Sequence, residues 1–500
     1  MGHIQQQTIR GTGWAYAGIG VGFLTVGLLL PNTLSKDQNG LLQLLMGVSV
    51  VLTQVANLGI NGAGGRYFPY FRNAERGHGG FLLLALGTSV VGFGLSLGVI
   101  LGFKDQIQAA NAEKSALFSQ YYLLLIPLTF ATLFFNLFDN YARLLYDSVT
   151  GTFLKDVAQR VLFLVAVLAY RQDWLSFPAL LAAWMGSYLV PLGLMMLSVA
   201  RNGQFVLSPR NLHLPPTLRH DLLRYAALTL MTGLSTQLIL QLDKVFINAS
   251  LGLASTGVYG ISAAFGSVIA APATILYKVS GVVIADSWKA NDLAKIREVY
   301  QKSCLAQLVI GCVAFVGIAA NLPNIFQFLP AGYQAGYFVI LWVGLAKLID
   351  MATGVNGQIL TTSRRYAWDS VFVVGMVVIT VGITPGLIRT YGLEGAAVGA
   401  VVATVLFNAA RTGFVWAVFG LQPFGWRNVA VLGLGLAVWG LAVWPPYQTA
   451  SKTLVIIDLL VRSTGIVLVY GGGLLALNLY PDGTRLLTRL WPTAGGIHRP

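Results

Sequence analysis

The sequence predicts an all-α polytopic membrane protein with about 14 transmembrane helices. Three observations predict this fold class: the composition, the length of the apolar stretches and the distribution of basic residues. In 500 residues, hydrophobic residues make up 56% and charged residues only 10%. A soluble domain has roughly a quarter charged residues, so this chain lacks the polar surface that a water-soluble fold needs.

The apolar residues come in stretches of about 20, which is long enough for a helix to cross the hydrocarbon core. They lack the alternation of barrel strands, and only helices or closed barrels satisfy every backbone group in lipid. Pro272 predicts a kink in the long eighth span. In chain order, the predicted spans are 13–30, 41–62, 79–102, 121–141, 153–170, 179–199, 222–247, 256–284, 304–322, 336–359, 368–388, 395–419, 429–444 and 454–479.

Basic residues in the short loops between spans predict the orientation. If the N-terminus is cytoplasmic and the sides alternate with each span, about two dozen basic residues fall on the cytoplasmic side and about six on the other side. We therefore expect a multi-pass protein of the cell (inner) membrane with both termini in the cytoplasm. The net charge of +14 is explained by attraction to anionic membrane lipids, so no nucleic-acid partner is predicted.

The longest polar interruption predicts a division into lobes. It covers residues 201–221 and contains three prolines, which is typical of a linker. We predict an N-lobe at 1–200 (helices 1–6), this cytoplasmic linker, a C-lobe at 222–420 (helices 7–12), and a C-terminal helix pair with a tail at 421–500. Two six-helix lobes in parallel repeat are an arrangement that carriers use for alternating access.

Enzyme signatures are missing from the sequence. No Walker lysine loop occurs, and the glycines between Gly11 and Gly22 open a membrane span rather than follow a strand. The histidines fall in predicted cytoplasmic segments, so no Ser/His/Asp set is available. No cofactor, no metal and no catalytic residue is therefore predicted, and the chain is expected not to be an enzyme.

Ionisable residues within the spans are the candidate functional residues, because a charge in hydrocarbon normally faces a bundle interior or a watery cavity. Acid and base four residues apart on one helix also neutralise one another. This alternative applies to Asp139/Arg143, Asp156/Arg160 and Asp458/Arg462. Asp243 and Lys244 are adjacent and point about 100° apart, so each needs a partner elsewhere.

Several motifs resemble those of one transporter family. Residues 40–72, with Gly-Ile-Asn-Gly-Ala-Gly-Gly-Arg ending at Arg66, look like the second helix of bacterial polysaccharide flippases of the multidrug/oligosaccharidyl-lipid/polysaccharide (MOP) exporter superfamily. The segments at 241–253, 257–262, 329–335 and 391–399 resemble further motifs of that family. The resemblance covers the whole chain and implies a flippase for a lipid-linked oligosaccharide, used in cell-surface polysaccharide biosynthesis.

This cargo carries a pyrophosphate, so its cavity should present cations. The predicted cavity cations are Arg66, Arg143, Lys244, Lys347 and Arg411. Asp243 and Asp350 are candidates for coupling to H⁺ or Na⁺. Two alternatives remain open for the cations: Arg66 as a positive-inside anchor, and Lys347 with Asp350 as an internal pair.

Two other functions remain open. An ion-coupled small-molecule exporter of the same fold is the main alternative, although twelve spans and an acidic cavity suit it better. A membrane glycan polymerase or ligase is the other, but it should have a sizeable external loop, and the sequence predicts none.

Overall fold

The computed structural model describes residues 2–73, 77–207, 216–443 and 451–481. Within these ranges the protein is built from helices, and they contain no strand. The predicted tail and part of the predicted linker, residues 482–500 and 208–215, lie outside the described residues.

Helices α1 to α11 form the chain up to the predicted linker. The first and fifth spans each contain a π-helical segment, Leu24–Leu29 after α1 and Phe153–Ala158 after α9. The α-helices are α1 Gly2–Phe23, α2 Leu30–Thr33, α3 Lys36–Ala56, α4 Ile60–Phe71, α5 Phe81–Gly102, α6 Lys104–Asn111, α7 Ala116–Tyr121, α8 Leu125–Leu144, α9 Val149–Thr152, α10 Gln159–Arg171 and α11 Phe177–Arg201.

Helices α12 to α21 form the rest of the chain. They are α12 Pro216–Leu251, α13 Leu253–Ser267, α14 Ala273–Lys289, α15 Leu293–Gln327, α16 Tyr337–Ala352, α17 Asn356–Thr362, α18 Ala367–Tyr391, α19 Leu393–Phe419, α20 Trp426–Val443 and α21 Lys452–Ala476.

Twelve helical stretches among the described residues are long and apolar enough to cross a membrane. They overlap twelve of the fourteen predicted spans, although several boundaries differ. The other two predicted spans, 153–170 and 222–247, are also helical but more polar. Lys155, Asp156 and Arg160 lie in the first, and several Thr, Ser and Gln residues lie in the second. The all-α membrane fold is confirmed, with about fourteen spans as an approximate count.

At least three predicted spans are interrupted rather than continuous. The predicted span 336–359 is two helices, because α16 ends at Ala352, Gly354 has a positive φ angle of 65°, and α17 begins at Asn356. The predicted span 41–62 is two helices, because α3 ends at Ala56 and α4 begins at Ile60. Between them, Leu58 and Gly59 have positive φ angles of 48° and 77°, a conformation that ends a helix. In the eighth span, α14 begins directly after Pro272, which confirms the expected interruption.

The start of α3 follows from local sequence. The Ser35 hydroxyl accepts a hydrogen bond from the Gln38 backbone N–H at 3.2 Å, and the Gln38 side chain accepts one from the Ser35 N–H at 2.9 Å. This capping box satisfies two backbone donors that a helix start leaves without partners. It fixes α3 to begin at Lys36, five residues before the predicted boundary.

The chain divides into two compact units. Unit 1 comprises Met1–Ile261 with Val377–Ala396, and unit 2 comprises Ser262–Met376 with Ala397–Pro500. Unit 1 therefore holds α12 together with the helices of the predicted N-lobe. The predicted lobes concern which helices move together during transport. Their boundaries therefore stay a prediction.

Each unit has its own apolar core. In unit 1, one cluster surrounds the buried rings of Phe68, Phe81 and Tyr141, and a second surrounds Trp184 and Tyr122. In unit 2, one cluster joins α15 to α20 and α21, and another surrounds Tyr300 at the ends of α14, α17 and α19.

A buried polar contact ties α20 and α21 to α15 within unit 2. Arg462 on α21 pairs with Asp458 at 3.1 Å and donates to the carbonyl oxygen of Ala442 on α20. From α15, the Asn324 amide donates to Asp458 and the Asn321 amide to the Ser463 hydroxyl. The predicted pair of Asp458 and Arg462 is thus confirmed as part of a larger network.

Candidate functional site

Arg66 is an exposed cation on α4 of unit 1. Its guanidinium carbon lies 4.8 Å from the centre of the Tyr225 ring on α12 and 5.8 Å from that of Tyr67. A cation over an aromatic face is held in place without losing its hydrogen-bond donors. Helices α4 and α12 also meet at Thr229, whose hydroxyl donates to the Gly59 carbonyl oxygen at 3.1 Å. Arg66 is therefore oriented by the α4–α12 contact while its donors stay available.

Arg143 lies on a polar stripe of α8. Asn136, Asn140 and Arg143 are spaced four and three residues apart, which places them on one face of the helix. The Asn140 amide donates to the Asn61 carbonyl oxygen on α4 at 3.2 Å. Arg143 pairs with Asp139, as the spacing indicated, yet 55% of its side chain stays accessible against 3% for the aspartate. The accessible part of the pair is therefore the Arg143 side chain.

Lys155 contacts the same stripe and was not among the predicted site residues. It lies in the π-helical segment Phe153–Ala158, and its Nζ contacts Asn136 Oδ1 at 3.3 Å. The neighbouring Asp156 pairs with Arg160 at 3.7 Å, which confirms the second predicted pair. The sequence did carry a signal, namely a lysine inside a predicted span.

Asp243 and Lys244 lie on α12 of unit 1, and each turns to a different neighbour. The Tyr259 hydroxyl on α13 donates to Asp243 Oδ2 at 2.7 Å. The Lys244 side chain passes Gly47 of α3, since a Cβ at that glycine would lie 3.7 Å from Lys244 Cδ. The expectation that Asp243 finds its partner elsewhere is confirmed.

Asp350 belongs to a buried hydrogen-bond network in unit 2. The Asn408 amide on α19 donates to Asp350 Oδ1 at 3.2 Å and to the Thr404 carbonyl oxygen at 3.1 Å. Asn408 Oδ1 in turn accepts from the Thr353 hydroxyl at 2.7 Å and from the Asn356 amide at 3.3 Å. Asn408 is only 2% exposed, so its whole side chain is used to join α16, α17 and α19.

Arg411 lies one turn after Asn408 and pairs with Asp369 at the start of α18. Both side chains are largely buried, and the Arg411 guanidinium also packs over the Phe407 ring with a carbon-to-centroid distance of 4.6 Å. Asp369 was not among the predicted site residues, because a partner 42 positions away leaves no local pattern.

Lys347 and Asp350 are both half-buried. Asp350 accepts a hydrogen bond from Asn408, and its pairing with Lys347 stays a prediction. The structure thus places Arg66, Arg143, Lys244 and Asp243 in unit 1. Lys347, Arg411 and Asp350 lie in unit 2. Their role in binding stays a prediction.

A cavity of about 690 Å³ borders the network of Asn408 in unit 2. Its wall is mostly apolar and aromatic, with a few polar groups, which is typical of ligand sites. The lining residues are Ile349, Thr353, Val405, Asn408, Ala409, Thr412, Gly413, Trp416, Gln422 and Phe424. Across the described ranges, no group of three His, Cys, Asp or Glu side chains could hold a metal ion.

Comparison with known proteins shows the fold. No protein-family model matches the sequence, and no curated protein matches it in sequence. Among solved structures, the lipid II flippase MurJ in an inward closed conformation matches with a TM-score of 0.71 at 11% identity, covering 94% of this chain and 99% of its own. An inward-facing multidrug resistance MATE transporter matches with a TM-score of 0.65 at 14% identity, covering 80% of this chain and 94% of its own.

A MOP superfamily transporter from Pyrococcus furiosus matches with a TM-score of 0.60 at 13% identity, covering 83% of this chain and 95% of its own. Identities this low establish the fold alone. The chain is a multi-pass membrane protein whose fold is similar to that of these MOP superfamily transporters.

Proposed function

We propose that this chain, which has the fold of the MOP superfamily transporters, is a flippase for a polyprenyl-pyrophosphate-linked oligosaccharide. It moves this lipid from the cytoplasmic to the outer leaflet of the cell membrane by alternating access. The product supplies the biosynthesis of a cell-surface polysaccharide.

The observation that carries the proposal is the set of accessible cations on membrane-spanning helices of unit 1. Arg66 is exposed beside Tyr225, and Arg143 keeps 55% of its side chain accessible although it pairs with Asp139. Lys155 adds a third exposed cation. Charged groups in spanning helices are costly unless they serve a pathway or a partner. A pyrophosphate is a fitting partner, because its oxygens accept the donors of arginine and lysine.

The extent of the structural likeness also supports a flippase. The lipid II flippase covers 94% of this chain, whereas the two other transporters compared above cover 80% and 83%. The predicted C-terminal pair, α20 and α21, provides helices beyond a twelve-helix exporter, and it is bound firmly to α15.

Two carboxylates are the proposed coupling sites for H⁺ or Na⁺. Asp243 accepts a hydrogen bond from Tyr259, and Asp350 accepts one from Asn408. Each lies on a spanning helix close to a predicted cavity cation, Lys244 or Lys347. A change in the charge of the carboxylate therefore alters the field that the neighbouring cation presents to an anionic cargo.

One observation favours a small-molecule exporter as the second candidate. The cavity in unit 2 has a volume of about 690 Å³, which is typical of binding sites for drug-sized molecules. Trp416 and Phe424 in its wall suit an aromatic, amphipathic molecule.

A flipping assay tests the proposal. Purified protein in liposomes is given a fluorescent polyprenyl-pyrophosphate oligosaccharide on one leaflet, and its appearance on the other is timed. Lys244→Ala and Lys347→Ala should each slow flipping at least tenfold, because each removes a cation from the path of the anionic headgroup. Lys289→Ala, an exposed lysine at the end of α14, is the control and should keep the parent rate.

Parent rates in both cavity variants would refute the role of these cations. Transport of cationic dyes by the parent protein, with no flipping of the lipid, would establish the exporter instead.

A further inference from the structure

Three cations and two carboxylates meet where α8 packs against the π-helical segment Phe153–Ala158 of unit 1. Lys155 interacts electrostatically with Arg143, Arg160 and Asp156, and Arg143 pairs with Asp139. The group carries one positive charge more than negative charge. A cluster on spanning helices should be neutral unless a partner supplies the missing charge.

The two carboxylates are already occupied by the arginines. Asp139 is 3% accessible and is bound by Arg143, and Asp156 is bound by Arg160 at 3.7 Å. Arg160 is held further by a hydrogen bond to the Gly18 carbonyl oxygen of α1. Lys155, by contrast, contacts a neutral amide oxygen, that of Asn136 at 3.3 Å. An ammonium has three donors, so the contact with Asn136 leaves two for another ligand.

Lys155 points along the span instead of back to its nearer end. It lies six residues after the start of α9, and a lysine near a helix end usually extends to the membrane surface. Its partner Asn136 lies eight residues before the end of α8 at Leu144, about 12 Å along the helix at 1.5 Å per residue. The side chain is therefore directed deeper into the span, away from the adjacent α8–α9 turn.

Close backbone packing fixes this geometry. A Cβ at Gly151 of α9 would overlap Asp139 Oδ1, and a Cβ at Gly18 of α1 would overlap the Asp156 carbonyl oxygen. The π-helical turn widens the helix where Lys155 and Asp156 lie, and such turns are frequent at functional sites. Helices α1, α8 and α9 thus hold the cluster from three directions.

We propose that Lys155, with Arg143 beside it, forms a binding site for the phosphate group of a phosphorylated lipid. Lys155 provides a point charge and two free donors, Arg143 provides an accessible guanidinium, and Asn136 orients the lysine. The identification of the ligand as the cargo's pyrophosphate rests on the proposed function. A membrane phospholipid offers the same phosphate chemistry.

Binding to the full-length protein in nanodiscs tests this inference. Three lipids are titrated: a polyprenyl pyrophosphate, the uncharged polyprenol and phosphatidylglycerol. Lys155→Gln should weaken binding of the pyrophosphate at least tenfold, because a hydrogen bond to a charged group contributes about 1.5–3 kcal/mol. It should leave polyprenol binding unchanged. Lys155→Arg should retain most of the affinity, and Lys289→Gln is the matched control.

Asn136→Ala gives a second, independent measurement. It keeps the cation but removes its orienting contact, so affinity for the pyrophosphate should fall by a smaller factor, about two- to fivefold. Unfolding temperatures of all variants show whether the fold is intact. A purely structural lysine would change the unfolding temperature without discriminating pyrophosphate from polyprenol.

The outcomes separate the inference from the proposed function. If the parent binds the pyrophosphate and Lys155→Gln binds it equally well, the phosphate site is refuted and the flippase proposal stands. If the parent binds phosphatidylglycerol but not the pyrophosphate, and Lys155→Gln loses that binding, the site stands with a membrane lipid as ligand and the flippase proposal fails. If the parent binds neither phosphorylated lipid better than polyprenol, the site is refuted.

Discussion

Replacing Asn408 by alanine should destabilise unit 2, because four hydrogen bonds meet at this buried side chain. Its amide donates to Asp350 and to the Thr404 carbonyl oxygen, and its Oδ1 accepts from Thr353 and Asn356. Alanine removes all four bonds. It also leaves the polar groups of Thr353 and Asn356 without that acceptor.

The magnitude follows from the number of bonds. The bond to Thr404 lies within α19, and the other three reach Asp350, Thr353 and Asn356. Side-chain hydrogen bonds between membrane helices average about 0.6 kcal/mol each, so these three predict a loss of about 1.8 kcal/mol in the free energy of unfolding. The larger values measured for single bonds in soluble proteins set an upper bound of about 6 kcal/mol. Equilibrium unfolding of the purified protein in mixed detergent micelles, followed by circular dichroism, measures this loss.

Thr361→Ala on α17 is the control. The Thr361 hydroxyl is exposed and bonds only carbonyl oxygens of its own helix, those of Gly357 and Gln358. Its replacement should change the free energy of unfolding by less than about 0.5 kcal/mol. An Asn408→Ala protein that is as stable as this control would show that the network does not hold α16, α17 and α19 together.

Two further substitutions have clear expected results. Asp369→Asn leaves Arg411 buried without its carboxylate and should lower the free energy of unfolding by about 3–5 kcal/mol. The double variant with Arg411→Gln should recover part of this loss. Additive losses in the double-mutant cycle would show that the pair does not interact. Gly151→Ala forces a methyl group against Asp139 and should lower the free energy of unfolding by about 1–3 kcal/mol. Gly98→Ala has no atom within 4 Å of the new Cβ and should be neutral or stabilising. Equal unfolding temperatures for the two variants would contradict the close packing at Gly151.

The spans and the local ion pairs could be predicted because both depend on residues close in sequence. Hydropathy located the spans, and Pro272 marked a helix interruption. The spacing of four residues predicted the pairing of Asp139 with Arg143 and of Asp458 with Arg462, since such side chains lie on one helix face whatever the tertiary fold.

The contacts between helices could not be predicted, because they depend on tertiary packing. No sequence pattern near Arg411 identifies Asp369 as its partner, and none near Lys155 identifies Asn136. The break before α4 was missed for the same reason. Gly59 has a positive φ where its backbone approaches the Ala226 carbonyl oxygen of α12, and that approach is invisible in a single sequence.

The network that ties the C-terminal helix pair to α15 also has a consequence for biogenesis. An arginine or an aspartate at the centre of a span opposes insertion by about 2.5–3.5 kcal/mol. Arg462 and Asp458 lessen this cost by pairing on one helix, but the amides of Asn321 and Asn324 become available only on α15. Because α15 is synthesised more than a hundred residues earlier, its amides are already in place when α21 leaves the ribosome. Helices α20 and α21 can therefore insert into the bilayer next to α15, whose amides are already in the membrane. Loss of Asn324 should appear as inefficient membrane integration of α20 and α21.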